Sequence, residues 1–139
     1  MLDQVRLIDL PSVTDPRGIL TAVESTKDIP LEIKRIFYMH HITEDRGGHA
    51  HRDTDQVVIA ISGSFNIELF DGSNTLKFEL NDATKGLYIP RMIFISMSKF
   101  TEKAVGLVLA NTFYDMSRSF RTLDDYLLHV QQAEGSCDQ

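Results

Sequence analysis

Short apolar runs separated by turn signals fill most of this chain. Leu20–Glu24 follows Asp15-Pro16-Arg17-Gly18, and Ile33–Met39 is rich in β-branched and aromatic residues. Gln56–Ile61 is nearly continuous apolar until Ser62-Gly63-Ser64 breaks it. Phe65–Phe70 mostly alternates, as a half-buried strand does, and Asp71-Gly72 behind it is a strong hairpin turn. Leu76–Leu80 alternates again, and Gly86–Ile89, Ile93–Met97 and Ala104–Ala110 complete the set. Roughly eight short strands at about ten-residue spacing predict an antiparallel sandwich or barrel. Phe65, Phe70, Phe78 and Phe100 are core residues in such a fold. One segment differs. Leu123–Gln132 places Leu127, Leu128 and Val130 on a partly apolar helical face, and Asp124 and Asp125 favour the dipole at its start. A single short C-terminal helix is predicted there, with Ala133–Gln139 frayed beyond it.

Composition narrows the picture. A length of 139 residues suits one domain, residues 1–139, with a core large enough to stand without disulfide or metal support. The net charge of −6 argues against nucleic-acid binding by bulk charge, while leaving room for a local basic pocket. The one cysteine, Cys137, has no internal disulfide partner. The start, Met1 to Val13, lacks a basic region followed by a long apolar run, so no signal peptide is expected. No stretch reaches the length that spans a membrane. A cytoplasmic protein is the expectation.

The stretch Arg46-Gly47-Gly48-His49-Ala50-His51-Arg52 carries the chemistry. Residues two apart on a strand share a face, so His49 and His51 project together. With Gln56 and Gly63 behind them, they resemble the first cupin motif, a pair of histidines followed by a glutamate and a glycine. The second cupin motif places a histidine shortly after a proline; here the proline is Pro90 and the histidine position holds Ile95. A cupin metal site uses three histidines and a glutamate. Two neutral imidazoles, the amide of Gln56 and the alkyl chain of Ile95 make a poor divalent-cation site, so no metal is expected. That leaves an imidazole pair that can take and return a proton near neutral pH. His40 and His41 end a strand on alternate faces and are not expected to chelate together, and His129 falls on a solvated helix face.

Several further stretches occur in order: Asp15-Pro16-Arg17-Gly18-Ile19-Leu20 with Glu24, Ile29-Pro30, Ile33-Lys34-Arg35 with Tyr38, Gly86-Leu87-Tyr88-Ile89-Pro90, Val108-Leu109-Ala110 and Tyr114-Asp115. Together with the histidine motif they resemble the dTDP-4-keto-6-deoxyglucose 3,4-ketoisomerases, small cupins of deoxyamino-sugar biosynthesis, over roughly residues 9 to 126. The resemblance implies an all-β cupin jelly-roll barrel with one short C-terminal helix. It implies a homodimer, often built by exchange of N-terminal strands, and a dTDP-linked keto-sugar substrate. It also implies an enediol reaction with no metal or organic cofactor. Carried over by position, His49 is the base for the C3 proton. His51 orients the sugar, stabilises the enediolate or acts as second acid, and Tyr38 donates to, or relays protons between, the two sugar oxygens. Arg17 and Arg46, then Arg91, are the expected diphosphate ligands, because a guanidinium binds phosphate oxygens in pairs. Gln56 joins the substrate-binding set. Arg35 reads as a structural salt-bridge partner.

The chain departs from the family at Phe94-Ile95-Ser96, where an aromatic–His–Glu stretch is common, and at Arg118-Ser119, where the family carries an Asp–Tyr pair. These losses keep a non-catalytic nucleotide-sugar module in view. A 3- or 5-epimerase on the same keto sugar is the next alternative, but those enzymes are longer and pair their base histidine differently. A metal-dependent dioxygenase is disfavoured by the missing ligands.

Overall fold

The computed structural model describes residues 1–137. In chain order the strands begin with β1 (Arg6–Asp9), β2 (Ser12–Asp15), β3 (Gly18–Thr21), β4 (Arg35–Met39), β5 (Arg46–His51) and β6 (Gln56–Ser62). They continue with β7 (Phe65–Phe70), β8 (Thr75–Leu80), β9 (Lys85–Ile89), β10 (Phe94–Ser98), β11 (Val105–Ala110) and β12 (Ser119–Phe120). The helix α1 (Leu123–Cys137) comes last. One five-stranded sheet runs β1-β9-β6-β11-β4 and the other β12-β5-β10-β7-β8, with every ladder antiparallel. This is the predicted all-β jelly roll with one C-terminal helix. Its two sheets pack face to face and, among the described residues, no ladder joins them into a closed barrel. The β2–β3 hairpin forms a small sheet of its own.

Three apolar clusters explain the runs along the chain. Between the sheets lie Val58 and Ala60 of β6, Leu87 and Ile89 of β9, Phe65, Ile67 and Leu69 of β7, and Ile95 and Met97 of β10. The intervening residues of β6, Val57 and Ile59, face the other way and pack with Leu109 under Leu10, Ile29 and Leu31. A strand covered on both faces needs no polar alternation, which is why Gln56–Ile61 reads as one continuous run. On the outer face of the second sheet, Ala50 of β5 and Phe94 of β10 pack against Phe120 and Tyr126. The buried Tyr126 hydroxyl donates to the Met92 carbonyl at 2.7 Å, and this polar anchor fixes α1 against that sheet.

The sequence misses β1, β2 and β12. β1 and β2 are four residues long and largely exposed, and β12 has two residues, so none shows a usable period. The helix start at Leu123 matches expectation, but the helix runs on to Cys137, which corrects the expected fraying from Ala133 as far as that residue. Ala133 and Glu134 are good helix formers and carry the helix past Gln132, ahead of the poorer formers Gly135 and Ser136. Residues 138 and 139 lie outside the described part of the chain.

Candidate active site

The geometry of β5 starts at its glycines. Gly47 and Gly48 have φ of 92° and 73°, a region that favours glycine. A Cβ on Gly47 would lie 2.7 Å from the Ile95 carbonyl oxygen. The β5–β10 register shifts at the same point, between Ile95 and Ser96. The irregularity bends the strand and aims the histidines beyond it. His49 and His51 then face the space between the sheets, while Ala50 packs on the helix side. The two rings stand edge to face, with centroids 5.0 Å apart. His51 Nδ1 lies 3.1 Å from Ser119 Oγ, and Ser119 is its ladder partner in β12. Arg118 holds β12 in place through two bonds to Asp53, at 2.5 and 3.0 Å, while its carbonyl accepts from the Arg52 amide.

A cleft of about 390 Å³ opens on this pair, lined also by Arg35, Phe37, Tyr114, Ser119 and Arg121. Inward of it, a pocket of about 140 Å³ is floored by Val58, Ile95, Met97 and Val108, with Arg46, His49 and Gln56 at its sides. Burial makes both imidazoles hard to protonate. It is the main reason the His49 pKa falls, with Arg121 and Arg46 adding to it. Burial, then His49, Arg35 and Arg121, push His51 down to about 4. Both rings are therefore neutral at physiological pH, so each can accept a proton.

The donor set does not fit a divalent cation. Ile95 is the ladder partner of His49, so the position of a third donor is an alkyl chain. Among the described residues no three His, Cys, Asp or Glu side chains gather as a metal site.

Of the residues read from the sequence, His49, His51, Arg46 and Gln56 line these connected spaces. Tyr38 edges the inner pocket along β4, but its side chain is 63% exposed and its ring lies 5.6 Å from that of His40. Arg17 sits at the β2–β3 turn, bonded to Asp15 at 2.8 Å, and lines only a hollow of its own hairpin. Arg91 is bound to Asp55 at 3.0 and 3.1 Å. Sequence reasoning missed Arg121, Tyr114 and Ser119 as cleft residues, and it gave Arg35 a salt bridge that the structure lacks. No carboxylate lies within ion-pair distance of Arg35 among the described residues. Two minor expectations change as well. His41 adopts φ of 52°, which turns the chain and brings the Nδ1 atoms of His40 and His41 within 2.7 Å, so strand alternation does not separate them. His129 is half-buried against Phe120, with ring centroids 5.0 Å apart.

With the geometry established, likeness to known proteins decides the family. Residues 3–131 match the WxcM-like, C-terminal family that includes FdtA. The chain belongs to that family. A curated member, the TDP-4-oxo-6-deoxy-α-D-glucose-3,4-oxoisomerase of Aneurinibacillus thermoaerophilus, is 32% identical over 90% of this chain and 91% of its own length. The sugar 3,4-ketoisomerase QdtA of Thermoanaerobacterium thermosaccharolyticum, solved with TDP, superposes with a TM-score of 0.91. It is 37% identical, covering 96% of this chain and 98% of its own. A histidine-to-asparagine variant of that enzyme is solved with TDP-4-keto-6-deoxyglucose. The TDP-quinovose 3,4-ketoisomerase WlaRB of Campylobacter jejuni is 39% identical with a TM-score of 0.85, covering 90% of this chain and 98% of its own. A 4-keto-6-deoxy sugar epimerase of Streptomyces spheroides shares the fold alone, at 16% identity.

Proposed function

We propose that this chain is a sugar-nucleotide 3,4-ketoisomerase, as its relatives are named, and that it moves the ketone of a dTDP-4-keto-6-deoxyhexose from C4 to C3 through an enediol. The observation that carries the reading is the neutral pair His49 and His51 on one face of β5, opening on a cleft large enough for a hexose. The reaction is redox-neutral overall, since C3 is oxidised as C4 is reduced. Its difficulty is moving protons at carbon, which a positioned neutral base addresses.

In this mechanism His49 removes the C3 proton. The bonding pair forms the C3–C4 double bond, and the C4 carbonyl electrons move onto O4. The O3 proton then passes to O4 as the C3 carbonyl forms, and C4 takes a proton from the His49 imidazolium, which returns that ring to its neutral form. His51 has Nδ1 engaged by Ser119, which leaves Nε2 for the substrate and holds the ring in place. The cationic Arg35 and Arg121 nearby favour the developing enediolate. Arg46 and Gln56, beside His49, are assigned to holding the sugar. Arg91 is assigned to keeping Asp55 and the mouth loop ordered.

A cytoplasmic homodimer fits the same reading. The detached β2–β3 hairpin exposes Val13, Ile19 and Leu20, and the edge strand β4 exposes Ile36 and Tyr38, so each protomer offers two apolar surfaces that a second copy can cover. Tyr38 would then face the interface.

An NMR time course with dTDP-4-keto-6-deoxyglucose in D2O tests the chemistry. Deuterium at C4 of a 3-keto product is the expected outcome. Binding of TDP with no exchange would instead make the chain a non-catalytic nucleotide-sugar module.

A further inference from the structure

A proton moved from C3 to C4 of a hexose leaves a stereochemical record. In the gluco series H3 and H4 lie on opposite faces of the pyranose ring, and in the galacto series they lie on the same face. The planar enediol keeps no memory at C4, so the product is decided by where the proton donor stands. The two ketoisomerases of Campylobacter jejuni that resemble this chain are named for TDP-quinovose and TDP-fucose, the 6-deoxy forms of the gluco and galacto sugars. Kinship therefore does not fix the configuration.

The sheet topology gives the pocket two unlike walls. His49 and His51 of β5 stand on the inner face of the second sheet, with Ile95 of the neighbouring β10 beside His49. The facing wall belongs to the first sheet and consists of Phe37 of β4, Gln56 and Val58 of β6, and Val108 of β11. It is apolar except for the buried Gln56 amide, which neither gains nor loses a proton near neutral pH. Arg35 lies further out in the cleft, and a guanidinium does not give up its proton. Two phenols border these spaces, and neither stands on the facing wall. Tyr38 turns to the outer side of β4, with its ring beside that of His40, and Tyr114 lies exposed at the mouth. Among the described residues, the groups here that take up and release a proton near neutral pH therefore both belong to β5.

We propose that His49 takes H3 and returns a proton to C4 on the same ring face, giving a 3-keto-6-deoxy sugar of galacto configuration, an assignment that rests on the isomerase reading above. H3 is axial, so the face that carries it must be turned toward His49 for removal. The C3–H bonding pair becomes the C3–C4 double bond, and the O3 proton passes to O4. The double-bond pair then takes the imidazolium proton at C4, and the ring that began neutral ends neutral. Protonation on the other face needs a donor among Phe37, Val58 and Val108, where none stands, or an intermediate that turns over between the two sheets.

Proton NMR of the wild-type protein with dTDP-4-keto-6-deoxyglucose in ordinary water tests it, read at early times before the released 3-keto sugar epimerises in solution. H4 and H5 are gauche in the galacto product and anti in the gluco product. One product with a small H4–H5 coupling is the expected result. A large coupling, alone or beside the small one, would overturn the proposal and leave the isomerase reading in place. No 3-keto product at all would remove the isomerase reading and the proposal with it. His51→Gln separates the two imidazoles. A slower reaction that still yields the galacto product is expected, because His49 serves both carbons. Exchange of H3 in D2O by this variant with no 3-keto product would assign the C4 proton to His51 and overturn the role of His49 there.

Discussion

The floor and the mouth of the same cavity are built to opposite specifications. The floor is Val58, Ile95, Met97 and Val108, with Gln56 and Arg46 beside His49. The mouth is Arg35, Arg121, Ser119 and Tyr114 around His51. The two histidines are only two residues apart on β5, yet they stand in these different surroundings. Burial is the main cause of the lowered pKa at both, and His51, beside His49 and Arg35 as well as Arg121, is pushed down to about 4. The contrast teaches a division of labour. An apolar floor keeps a base neutral and dry, and an under-compensated mouth waits for anionic charge.

The largest effect expected from breaking this arrangement is at His49. His49→Asn should lower kcat by a factor on the order of 10²–10⁴ while TDP binds as before. Steady-state kinetics beside calorimetry with TDP checks it, and a near wild-type rate would remove His49 as the base.

Next is the backbone that aims both rings. Gly47→Ala should cost about 1–3 kcal/mol, because its φ of 92° disfavours a side chain and the new Cβ would meet the Ile95 carbonyl. Urea denaturation measures this, and an unchanged midpoint would mean that the turn is not strained.

A smaller effect is written into pH. The pKa of His51 is about 4 in the folded state, against an ordinary value near 6.5 once unfolded. The unfolded chain therefore binds more protons across that interval. Stability is full above about pH 6.5 and falls as pH drops toward 4. In His51→Gln the slope of melting temperature against pH over this window should flatten. A slope equal to that of the wild type would place the sensitivity elsewhere.

Smallest is Ser119→Ala, which removes the bond to His51 Nδ1. A few-fold loss in kcat is expected, with TDP affinity intact and partial rescue by Ser119→Thr. The 15N shifts of the His51 ring should move with the substitution, a change that altered packing alone would not produce.

Much of the fold was legible because it is local. Alternation in Phe65–Phe70 and the Asp71-Gly72 turn needed no knowledge of distant residues, and the strands came out nearly to the residue. The HxH spacing put His49 and His51 on one face by strand geometry alone. Tyr38 shows where this stops. Each position of Arg35–Met39 is compatible with either face, so the pattern could not say that Tyr38 would point outward while Phe37 and Met39 pointed in.

The arginines were legible as residues but not as ligands. Arg17 and Arg91 stand in motifs, yet Asp15 and Asp55 take their charge. Arg35 looked like a strand residue with a partner and has none within ion-pair distance among the described residues. Ser119 reaches His51 across 68 positions of chain, through a two-residue strand that no period announces.

By itself, then, the sequence determined the all-β architecture, the shared face of the two histidines, and the loss of a third metal donor at Ile95. The first two depend on near neighbours in the chain, and the third on the resemblance to the second cupin motif. Only the tertiary structure decided which charges are neutralised, which aromatic rings remain bare and what stands beside His51, because ion pairing, burial and cross-sheet contact are set by residues far apart in sequence.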